Sequence, residues 1–297
     1  MKRVLLYIGT LLALVLGTFF SVPIGVNTLQ ISQSFSIDSL GACQGVSYIN
    51  GSLYLYGDRE KGVIRKFSLY GEDSIIDLHQ ETGLTIKGID IINHPTGIAY
   101  HKKLPVFIGN SIRLNPEGTK WRAVIYQVDW ENLIKTGSLD GNLISEIEDD
   151  ACIQGTRPEY VEYNNKWYVA TADYGNKSNE VRLYDPVYLK KAKKTSDSLV
   201  LYKKFTCSPW VQNLLWIPSK KILVLIQNQI EGKKWRFTFV DLPKSIETGK
   251  EEVISSIDVA DREDELEGFC LVDKNKKGIA VSSSRRKNVN LVNLTWK

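Results

Sequence analysis

A pattern of three short strands recurs five times along the chain, and this repeat limits the fold more than any other feature of the sequence. Each unit opens on a polar residue that runs into an apolar strand. The five openings are Gln44-Gly45-Val46, Thr96-Gly97-Ile98, Glu159-Tyr160-Val161, Gln212-Asn213-Leu214 and Glu267-Gly268-Phe269. A turn such as Asn50-Gly51 or Asn164-Asn165 follows, then a second strand such as Leu53-Tyr54-Leu55-Tyr56 or Leu223-Val224-Leu225-Ile226. These second strands are apolar at every position, as a sheet covered on both faces requires. Third strands alternate more, and three end in aspartate, at Asp129, Asp185 and Asp241, before short polar connections suited to a helical turn.

Fourth strands follow in four units, at 74–78, 143–147, 198–202 and 253–257, but the chain ends at Lys297 directly after the third strand of the fifth. At the other end, residues 29–37 have strand character and no partner of their own. The arithmetic predicts an all-β fold, a five-bladed β-propeller closed by this N-terminal strand, which fills the outer position of the last blade and leaves no blade a strand short. An open β-sandwich or two small β domains is the competing architecture. No Gly-, Ser- or Pro-rich linker divides the chain to favour it.

Met1-Lys2-Arg3 precedes an uncharged, mostly apolar stretch from Val4 to Val26, longer than the core of a signal peptide and sufficient to cross a bilayer. Residues 1–26 therefore read as an N-terminal membrane anchor, and 27–297 as a single propeller domain. With Lys2 and Arg3 held inside, the domain is expected outside the cytoplasm; cleavage would make it secreted or periplasmic. The 38 basic and 34 acidic residues are interspersed, without a basic stripe, which argues against nucleic acid as a partner. Cys43, Cys152, Cys207 and Cys270 lack the spacing of a zinc site, and Cys152 with Cys207 is the candidate disulfide.

In a propeller the first strands line the central channel, so Gln44, Thr96, Glu159, Gln212 and Glu267 are expected to form an axial ring. A second polar series, Asp58, Asn110, Asp173, Asn228 and Ser284, follows the second strands and is expected on one face of the disc. Such oxygens suit a polar small molecule, a glycan or calcium, and Glu159 and Glu267 are expected to converge and repel unless a cation joins them. The same groups serve equally as solvated channel residues, and a protein partner is a further alternative.

The openings Glu267-Gly268-Phe269 and Thr96-Gly97-Ile98, the phrase Asn93-His94-Pro95-Thr96-Gly97-Ile98 and the N-terminal anchor resemble the paraoxonase, gluconolactonase and strictosidine-synthase-like propellers. That resemblance implies a central calcium, with Glu159, Asn213 and Glu267 as its ligands, and a lactonase or esterase activity. Those families usually have six blades, and Thr96 stands where a paraoxonase-like protein carries a catalytic histidine. Five-bladed glycosidases of the arabinanase and levansucrase type are similar in blade number and use paired carboxylates, for which Glu159 and Glu267 are the available residues. Two functions remain open: a membrane-tethered binding or interaction propeller, and a divergent calcium-dependent hydrolase.

Overall fold

The structure is a computed structural model that describes residues 24–58, 61–71, 74–152, 154–177, 179–273 and 276–297. Most of the expected anchor, residues 1–23, lies outside these. Among the described residues no helix is long and apolar enough to cross a membrane. Val26, the expected last residue of the anchor, is buried at the start of the first strand, β1 (Val26–Phe35).

Five four-stranded antiparallel sheets follow one another along the chain. Blade one is β2 (Cys43–Ile49), β3 (Ser52–Gly57), β4 (Val63–Tyr70) and β5 (Ser74–Gly83). A short ribbon, β6 (Thr85–Ile86) with β7 (Ile89–Asp90), leads to blade two: β8 (Pro95–Ala99), β9 (Val106–Arg113), β10 (Trp121–Val128), helix α1 (Trp130–Thr136) and β11 (Leu143–Glu148). Blade three is β12 (Glu159–Tyr163), β13 (Lys166–Ala172), β14 (Glu180–Tyr184), α2 (Pro186–Leu189) and β15 (Leu201–Thr206). Blade four is β16 (Val211–Ile217), β17 (Ile222–Ile230), β18 (Lys234–Asp241), α3 (Leu242–Thr248) and β19 (Val253–Val259). Blade five has β20 (Leu266–Leu271), β21 (Lys277–Ser282) and β22 (Val289–Trp296), with β1 paired antiparallel to β22 from Val26 opposite Trp296 to Phe35 opposite Val289.

The first strands β2, β8, β12, β16 and β20 touch one another across the axis. Apolar side chains fill the spaces between blades. Tyr54 and Ile64 meet Ile108 and Val124 between blades one and two; Phe107 and Ile125 meet Val169 between two and three. Leu183 meets Leu225 between three and four, Phe239 meets Ala280 between four and five, and Leu55 meets Val281 between five and one. Each sheet is thus covered on both faces, which is why its second strand tolerates no polar alternation.

Asp129, Asp185 and Asp241 cap the helices. Their carboxylates accept hydrogen bonds from the backbone N–H groups of Asn132 at 3.2 Å, Val187 at 2.8 Å and Lys244 at 3.0 Å. An aspartate at this position stabilises a short helix by about 1 kcal/mol. One local expectation shifts. The outer strand of blade three starts at Leu201, not at 198, because a turn after α2 buries Val200 and holds Leu199 at a φ of 69°.

Candidate functional site

Strand register locates every axial residue. In four blades a bulge interrupts the pairing of the first strand just after it begins, and the extra residue is Gln44, Thr96, Gln212 or Glu267. The residue after the bulge, Gly45, Gly97, Asn213 or Gly268, pairs with the second strand again. Blade three differs. Glu159 pairs with Ala170, and counting back along the same register puts Arg157 beside Asn213 and the glycines, and Thr156 in the bulge position. The expected ring therefore contains Thr156 in place of Glu159. Pro158 causes the difference: it has no N–H to give the ladder, so β12 starts three residues beyond the true opening.

Glu159 sits three residues deeper in the channel than Glu267, and the two carboxyls do not converge. Each has its pKa raised, but for separate reasons. Burial pushes Glu159 up to about 8, opposed only by the Tyr160 N–H, which donates to its Oε1 at 2.9 Å. Burial also raises Glu267 well above the usual carboxylate range, helped by the neighbouring charge of Glu265 and opposed by Arg157.

Arg157 is the axial residue that the sequence reading passed over. It is 2% exposed; its Nε donates to the Gln212 carbonyl at 3.2 Å and its Nη2 to Gln212 Oε1 at 3.0 Å. Its guanidinium also lies 5.3 Å from the centre of the Tyr174 ring. Burial lowers its pKa from the ordinary value, yet a guanidinium stays protonated in any such setting. Asn213 completes the crossing: its Nδ2 donates to Tyr56 Oη at 3.1 Å and to the carbonyls of Thr96 and Glu267, each at 3.3 Å. Thr96 Oγ1 donates to the Thr156 carbonyl. Glycine fills the remaining places because nothing larger fits. A Cβ on Gly45 would lie 2.2 Å from the Tyr56 ring, and one on Gly268 would lie 2.8 Å from the Gly45 Cα. These contacts plug the channel midway and divide it into two chambers.

On the face where the first strands begin, polar side chains gather above the plug, a group termed the cup. Asp58 and His94 form its accessible pair, Oδ2 to Nδ1 at 2.9 Å, with side chains 25% and 32% exposed. A carboxylate only accepts, so Nδ1 is the donor of this pair and the carboxylate fixes the orientation of the ring. Gln44 Nε2 donates to Asp58 Oδ2 at 3.4 Å. On the opposite rim Tyr174 donates to Asn228 Oδ1 at 3.0 Å, and Gln229 bridges the Tyr174 hydroxyl and Glu265. Trp210 packs against Tyr174 with ring centres 5.3 Å apart.

The second polar series partly serves the loops. Asn110 Oδ1 accepts from the His94 N–H and Asp173 Oδ1 from the Gln154 N–H, both at 2.9 Å. Asp58 and Asn228 face the cup, and Ser284 Oγ bonds within its own turn, to the Arg286 carbonyl.

Glu159, Asn213 and Glu267 do not meet at one point. Glu159 is in the other chamber, and Asn213 turns its amide nitrogen to the axis while its Oδ1 accepts from the Leu214 N–H at 2.8 Å. No group of three or more His, Cys, Asp or Glu side chains placed to hold a metal ion is present among the described residues. All four cysteines are free thiols, so the candidate pair Cys152 and Cys207 is unbridged. Cys152 Sγ is instead buried against Arg182 Nη1 at 3.5 Å.

The second chamber opens on the opposite face as a cavity of about 260 Å³. Glu159 is its one carboxyl, and Ser47, Leu215, Trp216, Cys270 and Tyr48 are among its walls.

No protein-family model matches the chain, and no curated protein matches it. Among solved structures, the chain is similar to Kuenenia stuttgartiensis hydrazine synthase at 12% identity and a TM-score of 0.40, over 84% of this chain and 58% of that one. It is also similar to a glucose dehydrogenase at 8% identity and a TM-score of 0.46, over 90% of this chain and 99% of that one. The chain thus spans less than two thirds of the hydrazine synthase chain. Neither likeness carries an inference about activity.

Proposed function

We propose that this protein is a membrane-tethered propeller outside the cytoplasm that binds a small polar molecule or glycan in the axial cup. The observation that carries the reading is the set of solvent-reached polar groups around the cup, the Asp58–His94 pair on one side and Tyr174 with Gln229 on the other, beside the Trp210 ring. Gln44, Gln212 and Glu267 supply further donors and acceptors beneath them, and Trp210 a ring face for stacking.

Titration calorimetry with glucose, galactose and arabinose on the wild type and on Glu267→Gln and Trp210→Ala tests this. Binding of at least one sugar, weakened tenfold or more in both variants, supports the cup as the site. Wild-type binding that survives both substitutions, or no binding of any of the three, overturns it.

The Asp58–His94 pair favours a second reading, hydrolysis of an ester or lactone, because a histidine oriented by a carboxylate can act as a general base toward water. Release of p-nitrophenol from p-nitrophenyl acetate that disappears in His94→Ala supports it; equal rates in the two proteins exclude it. In either reading β1 acts as the latch of the ring, through its pairing with β22.

A further inference from the structure

Glu159 lies apart from the cup and takes no part in the binding proposed there. Its chamber has two properties that define a ligand. First, it is large enough for a few heavy atoms, about 260 Å³, and Glu159 is reached from it. Second, Glu159 is its only charged side chain among the described residues: no Lys, Arg or His lines it, and apolar walls, Val46, Ile98, Leu215 and Ile217, stand beside uncharged polar ones, Ser47, Tyr48 and Tyr100. A lone carboxyl in such a chamber is satisfied by a cation that brings its own apolar body.

We propose that the chamber binds a small organic ammonium, of which ethanolamine is the simplest probe, with the ammonium on Glu159. Binding requires Glu159 to give up its proton, so uptake of the ammonium releases a proton to solvent. The other titratable groups around Glu159 are Cys270, Tyr48 and Tyr100 on the walls and Tyr56 at the plug, and burial raises the Cys270 thiol and the Tyr56 hydroxyl. The carboxyl alone therefore sets the pH response. The ammonium can come from a free amine or from a lipid headgroup. The second source has a geometric basis: Val26 pairs with Trp296 at the end of the disc where the first strands finish, which is the end on which this chamber opens.

Calorimetry on the full chain in detergent tests the site, with ethanolamine as the free amine, ethylene glycol as its neutral analogue, and dihexanoyl phosphatidylethanolamine below its micellar concentration as the headgroup. Ethanolamine or the short lipid should bind with release of a proton at pH 7, whereas ethylene glycol should not. Affinity should fall about tenfold for each pH unit below about 8, where Glu159 becomes protonated. Glu159→Gln should weaken binding at least tenfold at pH 8.5 with an unimpaired melting temperature. Tyr48→Ala, on the half-exposed rim, should weaken it severalfold without touching the plug. Binding of ethanolamine assigns the free amine, and binding of the lipid alone assigns the headgroup. Binding of neither, equal binding of ethylene glycol, or binding unchanged in Glu159→Gln overturns the proposal. Because the cup variant Glu267→Gln leaves Glu159 in place, loss of sugar binding and loss of amine binding are separable.

Discussion

The two chambers share one axis and five strands, yet they handle buried charge in opposite ways. In the cup, the ionisable groups are tied to one another and to the backbone: Arg157 to Gln212, His94 to Asp58, and Glu265 to Gln229. In the second chamber Glu159 has one backbone N–H and no counter-charge. The difference lies in the sign of the charge as well as its place. Carbonyl and amide oxygens at the plug accept from the Arg157 guanidinium, whereas the carboxyls of Glu267 at the bulge and Glu159 three residues deeper are both penalised by burial, and only Glu267 has Arg157 near it. The cup's charge holds blades together, whereas Glu159 weakens the fold unless something joins it.

Both chambers depend on an intact ring, and the largest effect is expected from breaking it. Deleting residues 26–35 exposes the edge of β22 and the apolar face that Val26 and Leu29 cover. Both chambers should lose order together, with a melting temperature lower by more than about 10 °C. An unchanged melting curve would show that β1 is dispensable.

Arg157→Met attacks the cup's side of the comparison. It strips the Gln212 carbonyl and side chain of their donor and removes the positive charge near Glu267. A loss of about 3 kcal/mol is expected in urea unfolding. A neutral result would mean that the guanidinium does not hold blades three and four together.

Glu159→Gln attacks the other side and should have the opposite sign. The folded pKa of Glu159, about 8, lies above its ordinary value of 4.5, so the folded state binds the proton more tightly than the unfolded chain. Its contribution is complete below the unfolded value and is lost as pH rises toward 8, at up to about 1.4 kcal/mol per pH unit. The Gln variant should flatten this part of the stability profile between roughly pH 5 and 8, and should melt higher than wild type at pH 8. Parallel profiles for the two proteins would refute the burial argument.

The smallest effect is expected for His94→Ala. The Asp58–His94 pair is partly open to water, so its removal should change stability by less than about 1 kcal/mol in the same urea assay. A larger loss would make the pair part of the scaffold, like Arg157, and not a group free for chemistry.

Much of the ring was legible in the sequence because every sheet repeats one physical problem. Apolar second strands must be covered on both sides, turns must reverse the chain, and aspartates must cap the short helices. Those requirements are local, and they recur visibly at Asn50-Gly51, at Leu53 to Tyr56 and at Asp129, Asp185 and Asp241. The strand character of residues 29–37 and the short fifth unit were visible for the same reason.

The axis was not legible in this way. With openings at 44, 96, 159, 212 and 267 the spacings are 52, 63, 53 and 55 residues; with Thr156 in place of Glu159 they become 52, 60, 56 and 55, a more even series. That unevenness, and the proline at 158, were the available signals. A polar residue before an apolar run reads the same at either position, and only pairing with β13 distinguishes them. Register then decided what the sequence left open: Arg157 at the plug, Glu159 alone below it, and His94 beside Asp58 across two blades. Local chemistry determines which segments become strands, but the meeting of five strand ends on one axis is a non-local event, and no single segment encodes which side chain arrives there.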